Sequence, residues 1–455
     1  MPTEPLRSID RGLLPVGAPS SHPIRPLADT TTPAARTALW SLPSWRHALL
    51  ATSLTLALAA CGGSGGESGD GERLGLDSAD TAELQTHDRT KAGPTQSGQR
   101  RPDAQSTGTS SQPAATAAAS NHPRWTLTSP AEASRFLAQA SYGSSPKDIK
   151  ALTGRTANEW IEAQFSRPPT SLLNTMRYWQ QRSGKAITLT DAHNAWWYST
   201  VQQDQLRQRV AFALSQIFVV STNGDVSHFP KGIASYYDML ARNAFGNFRQ
   251  LLEDVTLHPM MGVYLTHIGN HKERFDSTGK LTQAPDENYA REVMQLFTIG
   301  LEQLNLDGTP KKDAQGRPIP TYSNNDVIGL ARVFTGWSWN GGRLTHECFF
   351  RAGYCAENTN ERETRPMVAY DQYHSTLEKR FLGTTIAEGQ SRTTADLKVA
   401  LDTLFNHPNV GPFIGRQLIQ RLVTSNPSPA YVRRVASAFN NNGQGVRGDM
   451  KAVIR

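Results

Sequence analysis

In Leu206-Arg207-Gln208-Arg209-Val210-Ala211-Phe212-Ala213-Leu214-Ser215-Gln216-Ile217-Phe218, apolar residues recur at intervals of three and four. This spacing places side chains on one face of an α-helix. The apolar face comprises Leu206, Val210, Ala213, Leu214, Ile217 and Phe218, whereas Arg207, Gln208, Arg209 and Gln216 lie largely off it. The sequence therefore predicts a long helix that packs against a core.

The same spacing recurs at residues 248–255, 327–334 and 432–439, behind the capping residues Asn247, Ser323 and Ser428. Three further helix starts, each a capping hydroxyl followed three residues later by a carboxylate, are predicted before Phe165. They are Ser129-Pro130-Ala131-Glu132, Ser145-Pro146-Lys147-Asp148 and Thr156-Ala157-Asn158-Glu159. We therefore expect a mostly α, multi-helical globular domain.

Two irregular features interrupt this helical pattern. The segment at about 306–322 contains Asp307-Gly308 and Gln315-Gly316, turn sequences that predict a small β-hairpin insertion.

His258-Pro259 and His407-Pro408 each follow a helical stripe. Because proline cannot continue a helix, each histidine is predicted to end one helix and introduce the next. The sequences around the two His-Pro pairs fit either independent corners or a duplicated helical pair.

The N-terminal part predicts export. An uncharged run of about 13 residues, too short to span a bilayer, ends in Leu58-Ala59-Ala60-Cys61, which resembles a bacterial lipobox. We therefore expect residues 1–60 to be a leader with a cleaved signal, and Cys61 to carry a lipid anchor in the membrane. Gly62 follows the cysteine where an aspartate would favour inner-membrane retention, which favours an outer-membrane lipoprotein facing the periplasm or the cell surface.

Residues 61–124 are rich in Gly, Ser and Thr and poor in large apolar residues, so they predict a disordered tether. The remaining 125–455 are long enough to form a large core. The final residues, Asp449-Met450-Lys451-Ala452-Val453-Ile454-Arg455, begin the pattern of an amphipathic helix. From this we expect the helical domain to be truncated at its C-terminus.

The net charge limits the classes of partner, and the cysteine spacing predicts a local cross-link. The formal net charge is +7, but no run of five basic residues occurs, which argues against a nucleic-acid partner and leaves an anionic polymer or lipid surface as a candidate. Cys348 and Cys355 have six residues between them, and in an oxidising compartment they predict a local disulfide. A zinc site that adds His346 is the alternative.

The densest polar cluster lies in the segment from Pro285 to Gly300. At helical spacing Glu287 stands four residues before Arg291, and Asn288 stands four before Glu292, so two carboxylates, an amide and a guanidinium occupy adjoining faces. One hypothesis is a metal or acid/base site between helices. The other is a solvated ion pair near a helix N-terminus, and the residues alone favour this simpler interpretation.

Several segments resemble one bacterial family, domain of unknown function 1800. The resemblance runs from about Ala133 to the end and is carried by Pro285-Asp286-Glu287-Asn288-Tyr289-Ala290-Arg291-Glu292, by Phe334-Thr335-Gly336-Trp337, and by His258-Pro259, His374, residues 379–383 and His407-Pro408. Asp286 and Gln295 depart from the expected Asn and Glu, which weakens any mechanism that needs a carboxylate at 295. The resemblance implies a mostly helical, exported bacterial protein and makes a buried polar network or binding cleft as plausible as a solvated pair.

The sequence contains no P-loop, dinucleotide fingerprint or His-Glu-x-x-His motif. We therefore expect an envelope binding or scaffold module with a cleft around Glu287–Glu292, His258 and His374, in which Asn288, Arg291 and Trp337 bind a ligand. The partner would be an envelope protein or an anionic polymer. The alternative is an envelope or extracellular hydrolase that uses Glu287 or Glu292 with His258 or His374, and a divalent metal is its candidate cofactor.

Overall fold

The computed structural model describes residues 125–341, 344–351, 355, 361–389 and 392–455. The predicted leader, the lipobox cysteine Cys61 and the tether lie outside the described residues. The helices of the described part are α1 (Pro130–Ala140), α2 (Pro146–Leu152), α3 (Ala157–Phe165), α4 (Leu172–Ser183), α5 (Leu189–Ser199), α6 (Gln205–Ser215), α7 (Pro230–Asn243), α8 (Phe248–Leu257), α9 (Pro259–Tyr264), α10 (Asn288–Gln295), α11 (Asn324–Val333), α12 (His346–Phe350), α13 (Thr393–Asn406), α14 (Val410–Leu422), α15 (Pro429–Asn440) and α16 (Met450–Ile454).

The described strands form three separate antiparallel pairs. They are β1 (Arg274–Phe275) with β2 (Leu281–Gln283), β3 (Trp337–Ser338) with β4 (Val368–Ala369), and β5 (Lys379–Phe381) with β6 (Thr384–Ile386). The mostly α fold with small hairpins is therefore confirmed. Among the described residues, no helix combines the length and the hydropathy that crossing a bilayer requires.

Helix α7 lies at the centre of the core. It packs against α4, α5, α6, α8 and α9, and ten of its fourteen residues are buried. A smaller apolar cluster under α1, α2 and α3 contains Leu127, Ala133, Leu137, Leu152 and Ala157. The N-terminal helices thus form a cap beside the main core.

The three helix N-termini predicted from capping boxes are confirmed. Capping boxes begin α1, α2 and α3, with Ser129 and Glu132, Ser145 and Asp148, and Thr156 and Glu159 as the reciprocal pairs. Both His-Pro corners also form as predicted. In each corner the histidine Nδ1 accepts a hydrogen bond from the backbone N–H two residues later, that of Met260 or that of Asn409, over 3.2 Å.

Two expectations need correction. Arg207 and Gln208 are buried rather than off the packed face, because Arg207 donates to the carbonyls of Ala241 and Arg167 and Gln208 donates to that of Thr170. The helix ends at Ser215, three residues before the apolar stripe does. Helix α6 is therefore enclosed on more sides than its apolar stripe indicated.

The segment predicted as a hairpin at 306–322 has three short arms. Gln303 donates its N–H to Ile319, Ile319 to Lys311, and Lys311 to Gln303, so the three backbones close a ring of hydrogen bonds. Isolated bridges join the arms instead of continuous strands, and they involve Pro310, Pro318 and Pro320, whose nitrogens cannot donate. The turns lie where the sequence placed them, but the pairing begins at residue 301.

Helix α11 contacts strand β5 through Gly329. A Cβ atom built on Gly329 would lie 1.8 Å from the carbonyl oxygen of Arg380. We expect Gly329→Ala to lower the free energy of unfolding by about 1–3 kcal/mol, because backbone must move to admit the methyl group. The matched control is Gly415→Ala in α14, whose Cβ would come no closer to backbone than 3.6 Å, at the Ala436 nitrogen, and would approach the Val435 side chain at 3.2 Å. Thermal unfolding that shows the same loss for both variants would contradict this assignment.

Candidate functional site

Helix α10 carries the carboxylates that the sequence singled out. Glu287 forms an ion pair of 3.2 Å with Arg291, and their side chains are 36% and 40% exposed. Glu292 is 4% exposed. Five residues correspond to about 140° around a helix axis, so the two carboxylates point to different surroundings, one to solvent and one to the interior. Glu287 and Arg291 therefore form the solvated pair of the simpler hypothesis.

The N-terminus of α10 is held by its neighbours. The backbone N–H of Asn288 donates to Asp286 Oδ1 over 2.8 Å, and Asn270 Oδ1 accepts from the N–H of Asp286 over 2.9 Å. A cleft of about 460 Å³ lies at the other end of the helix, where Gln295 and Leu296 line it. Neither Glu287 nor Glu292 is among its lining residues.

His258 is a buried helix cap. Its Nδ1 accepts from the Met260 N–H, its Nε2 lies 3.3 Å from the Ser235 hydroxyl, and its ring packs edge-on against Tyr236 at 5.1 Å. Burial, with a smaller contribution from the positive charge of Arg242, lowers the pKa of His258 to about 3. The imidazole is therefore neutral at physiological pH and linked to the corner between α8 and α9.

His374 belongs to a different buried polar group. Its Nδ1 lies 2.8 Å from the Thr335 carbonyl oxygen and its Nε2 lies 3.0 Å from Asp396 Oδ2. The Lys379 ammonium lies 3.0 Å from the same Asp396 oxygen and donates to the Ser375 carbonyl over 2.7 Å. His374 and Lys379 are both 0% exposed. We call Thr335, His374, Ser375, Lys379 and Asp396 the buried polar network.

The Asp396 carboxylate is held by two buried side chains. His374 Nε2 and the Lys379 ammonium both lie within hydrogen-bond distance of Asp396 Oδ2, and a carboxylate can only accept. Burial by itself would raise the pKa of Asp396, but hydrogen bonds from His374 and Lys379 outweigh burial and lower it. The charge of this carboxylate is thus already used for internal pairing.

Glycine and aromatic residues complete the same region. Gly336 has φ of +79°, and a Cβ there would lie 3.0 Å from the backbone nitrogen of His374, so no larger residue fits. Trp337 and Trp339 are 4% and 5% exposed, and Trp339 packs against Phe229 at 5.5 Å. Because both indoles fill the core, the predicted ligand contact at Trp337 would require the core to open.

Cys348 and Cys355 form a disulfide with a bond length of 2.05 Å, which is the local pairing that their spacing favoured. The zinc alternative needed both thiolates together with His346, so the disulfide removes its sulfur ligands. Within the described ranges, no group of three or more His, Cys, Asp and Glu side chains is arranged to hold a metal ion.

Helix α5 carries an exposed aromatic face that we did not identify from the sequence. Trp197 is 65% exposed and Tyr198 47% exposed, whereas their neighbour Trp196 packs inward against Phe212. Three consecutive residues span about 200° of a helix, so Trp196-Trp197-Tyr198 cannot fit within one buried stripe. That triplet was the available sequence signal. We call Trp197, Tyr198 and Val201, which is 71% exposed, the α5 ridge.

Two clefts lie beside the α5 ridge. The Trp179 cleft, of about 360 Å³ between α4 and α5, is lined by Met176, Trp179, Gln180, Ser183, Lys185, Ala186, Ile187, Thr188 and Asp191. The Trp160 cleft, of about 420 Å³, is lined by Leu137, Ser141, Gly143, Ser144, Lys147, Asp148, Trp160, Gln164, Arg167, Val201, Gln202, Gln203 and Gln205.

The ridge joins the two clefts. The Tyr198 ring contacts Trp179 with 6.1 Å between ring centroids, and Val201, three residues further on, lines the Trp160 cleft. Three residues near a helix end advance the chain by only about 5 Å. The ridge therefore borders both clefts, and each cleft has a half-buried indole in its lining.

A protein-family model matches most of the chain. The model of a protein family of unknown function, DUF1800, matches residues 135–455. The chain belongs to the DUF1800 family. Searches of the curated proteins and of the solved structures gave no significant match.

Thr335, His374 and residues 379–383, which carried the DUF1800 resemblance, meet around the buried polar network. The Thr335 hydroxyl accepts a hydrogen bond from the Ser375 N–H, and nearby Asp326 Oδ1 accepts one from the Leu382 N–H. Arg332 forms an ion pair of 2.7 Å with Glu273. These contacts join α11 and the residues that follow it to the segments around Glu273, His374 and Leu382.

Proposed function

We propose that this DUF1800 protein is a non-catalytic binding module of the bacterial cell envelope, and that it binds an anionic polysaccharide along the α5 ridge and its two clefts. The observation that carries the proposal is the exposed α5 ridge, in which Tyr198 contacts the half-buried Trp179 of one cleft and Val201 lines the cleft that contains Trp160. Aromatic rings pack against the apolar faces of sugar rings, while neighbouring polar groups bond to hydroxyls. A polymer occupies several such positions at once.

The charges of the Trp160 cleft favour an anionic polymer. Lys185 lines the Trp179 cleft, and Lys147 and Arg167 line the Trp160 cleft. The carboxylates Asp148 and Asp191 already accept hydrogen bonds from Ser145 and Thr188 in helix caps. Hydrogen bonds from Ser145 lower the pKa of Asp148, which keeps that carboxylate ionised within its cap. The Trp160 cleft thus has two cations against one carboxylate, a net charge of +1 toward the carboxylate or phosphate groups of a ligand, whereas Lys185 and Asp191 balance in the Trp179 cleft.

The hydrolase alternative needs a carboxylate and a base in one accessible cleft. Glu287 pairs with Arg291 at the surface, His258 caps a helix inside the core, and His374 bonds to Thr335 and Asp396. These separate partner sets support a binding role better than acid/base catalysis.

In the proposal, a lipid on Cys61 and the tether at 61–124 keep the domain at the outer membrane.

Affinity gel electrophoresis tests the proposed ligand class. We expect polygalacturonate in the gel to retard the protein at low salt, neutral dextran to have no effect, and added salt to weaken the retardation. Trp197→Ala should raise the dissociation constant roughly tenfold, which corresponds to about 1.4 kcal/mol. Phe275→Ala removes an equally accessible aromatic ring, 51% exposed, outside the ridge and is the matched control.

Two outcomes would contradict the proposal. The first is the absence of retardation in polygalacturonate, alginate and a phosphate-bearing polymer. The second is equal retardation of the wild type and of Trp197→Ala. In either case polysaccharide binding by the α5 ridge would be excluded. Release of reducing ends from the same polymers would instead support the hydrolase.

A further inference from the structure

The β1–β2 hairpin projects from the domain with an apolar tip. Phe275 and Leu281 are directly opposite partners in the antiparallel pair and are 51% and 47% exposed. Opposite residues in an antiparallel pair point to the same face, so these two side chains form one patch. Every residue from 274 to 284 is exposed.

The tip is held rigidly by its turn. Asp276 Oδ1 accepts hydrogen bonds from the Thr278 N–H, the Thr278 hydroxyl and the Lys280 N–H over 2.6–3.0 Å. The hydroxyl of Thr278 is the largest of the influences that lower the pKa of Asp276. A preorganised tip loses little conformational entropy when it binds.

The base of the hairpin is attached to the core. The Lys272 N–H donates to the Tyr373 carbonyl over 2.8 Å. The Glu273 carboxylate forms an ion pair with Arg332 over 2.7 Å and accepts a hydrogen bond from the Ser375 hydroxyl over 2.8 Å. The Glu273 side chain is 5% exposed, so its charge is taken up by Arg332. The tip therefore keeps a fixed position relative to the domain.

The charges around the tip are predominantly positive. Residues 274–283 contain two cations, Arg274 and Lys280, and one carboxylate, Asp276, so the hairpin carries a net charge of +1. A rigid apolar pair surrounded by basic side chains is complementary to the boundary between anionic headgroups and acyl chains. Two side chains are too few for a specific protein interface, which buries about 800 Å² on each partner.

We propose that the β1–β2 hairpin is a membrane-contact element that inserts Phe275 and Leu281 into the surface of an anionic lipid bilayer, while Arg274 and Lys280 pair with lipid phosphates. This contact is separate from the α5 ridge and does not depend on polysaccharide binding. It would orient the domain on a membrane surface even when the N-terminal lipid is absent.

Co-sedimentation with vesicles tests the hairpin without a lipid anchor. The full chain carrying Cys61→Ser is mixed with vesicles of phosphatidylglycerol and phosphatidylethanolamine, or with phosphatidylcholine alone. We expect binding to the anionic vesicles only, and a loss of at least fivefold for Phe275→Ser/Leu281→Ser and for Lys280→Glu. The control Leu301→Ser/Leu306→Ser removes two leucines that are 59% and 40% exposed outside the hairpin, and it should bind like the parent.

Circular dichroism and polygalacturonate retardation, measured on the same samples, show whether the hairpin variants keep the fold. If the parent chain does not sediment with anionic vesicles, or if the hairpin variants bind as well as the parent, the hairpin proposal is overturned. If the wild type does not bind polysaccharide, only the function proposed for the ridge is overturned. A variant that unfolds is replaced by the milder Phe275→Thr, for which the same fivefold criterion holds.

Discussion

Asp396→Asn should lower the free energy of unfolding by about 3–5 kcal/mol, because it removes the carboxylate that neutralises the buried Lys379 ammonium and bonds to the His374 ring. The Lys379 ammonium and the His374 ring both lie 3.0 Å from Asp396 Oδ2 and are fully buried. The amide that replaces the carboxylate carries no charge, so the Lys379 ammonium is left buried without a counter-charge. Urea unfolding monitored by circular dichroism measures the loss.

The same helix offers a matched control. Asp402 also bonds to two basic side chains, Arg249 over 2.7 Å and Lys398 over 2.6 Å, but the Asp402 side chain is 38% exposed. Solvent screens that cluster, so Asp402→Asn should cost less than about 1 kcal/mol. Equal losses for Asp396→Asn and Asp402→Asn would show that burial of the network contributes nothing special to stability.

Acidification from pH 7 to pH 4.5 should destabilise the protein through two buried histidines. Burial lowers the pKa of His258 to about 3 and that of His267 to about 4, although a hydrogen bond to the Thr256 carbonyl opposes the shift for His267. In the unfolded chain both have a pKa of about 6.5. The unfolded state therefore binds more protons below pH 6.5, so their stabilising effect is complete above that pH and is lost as the pH falls toward 4.

The expected loss is roughly 3–5 kcal/mol across this window for the two histidines together, at about 1.4 kcal/mol per pH unit and histidine. Urea unfolding at pH 7 and at pH 4.5 measures it. His258→Asn retains a capping acceptor for the Met260 N–H, and His267→Gln retains a donor for the Thr256 carbonyl. The double variant should lose most of the pH dependence.

The exposed His193 supplies the control for this experiment. His193→Gln should leave the difference in stability between pH 7 and pH 4.5 unchanged. If the double variant were as sensitive to acid as the wild type, the acid sensitivity would have to come from the carboxylates. Their ion pairs would then be the groups that titrate.

The local parts of the fold could be predicted from the sequence because their causes are local. Ser129 and Glu132 satisfy each other's backbone groups within one helical turn, and His258-Pro259 forces a corner whatever surrounds it. The mostly α fold follows from the periodic stripes. For these elements, the residues that determine the structure are within four positions of one another.

The buried polar network could not be predicted because its members meet only in three dimensions. His374 bonds to Thr335, which is 39 residues away, and to Asp396, which is 22 residues away. Asp396 occurs in an ordinary helical segment that suggests nothing unusual. The sequence pattern therefore groups His374 with the carboxylates of α10, whereas its partners lie on α13 and at the end of α11.

The α5 ridge escapes prediction for a different reason. Helical periodicity identifies residues that face the core, but it does not show which aromatic residues are unable to fit in an apolar stripe. Trp197, with its neighbours Trp196 and Tyr198 on both sides, had to leave the buried face. The clefts beside it depend on Trp179 and Trp160, which belong to α4 and α3.

Hydrogen–deuterium exchange of the full chain, with and without oligomers of galacturonate, tests the proposed binding surface most directly. We predict slower exchange in peptides from 141–167 and 176–205, which contain both clefts and the ridge, and unchanged exchange in α10 and around His374. Protection of α10, at Asn288–Gln295, with no change at the ridge would contradict the proposed function and return the binding site to the Glu287–Glu292 cluster.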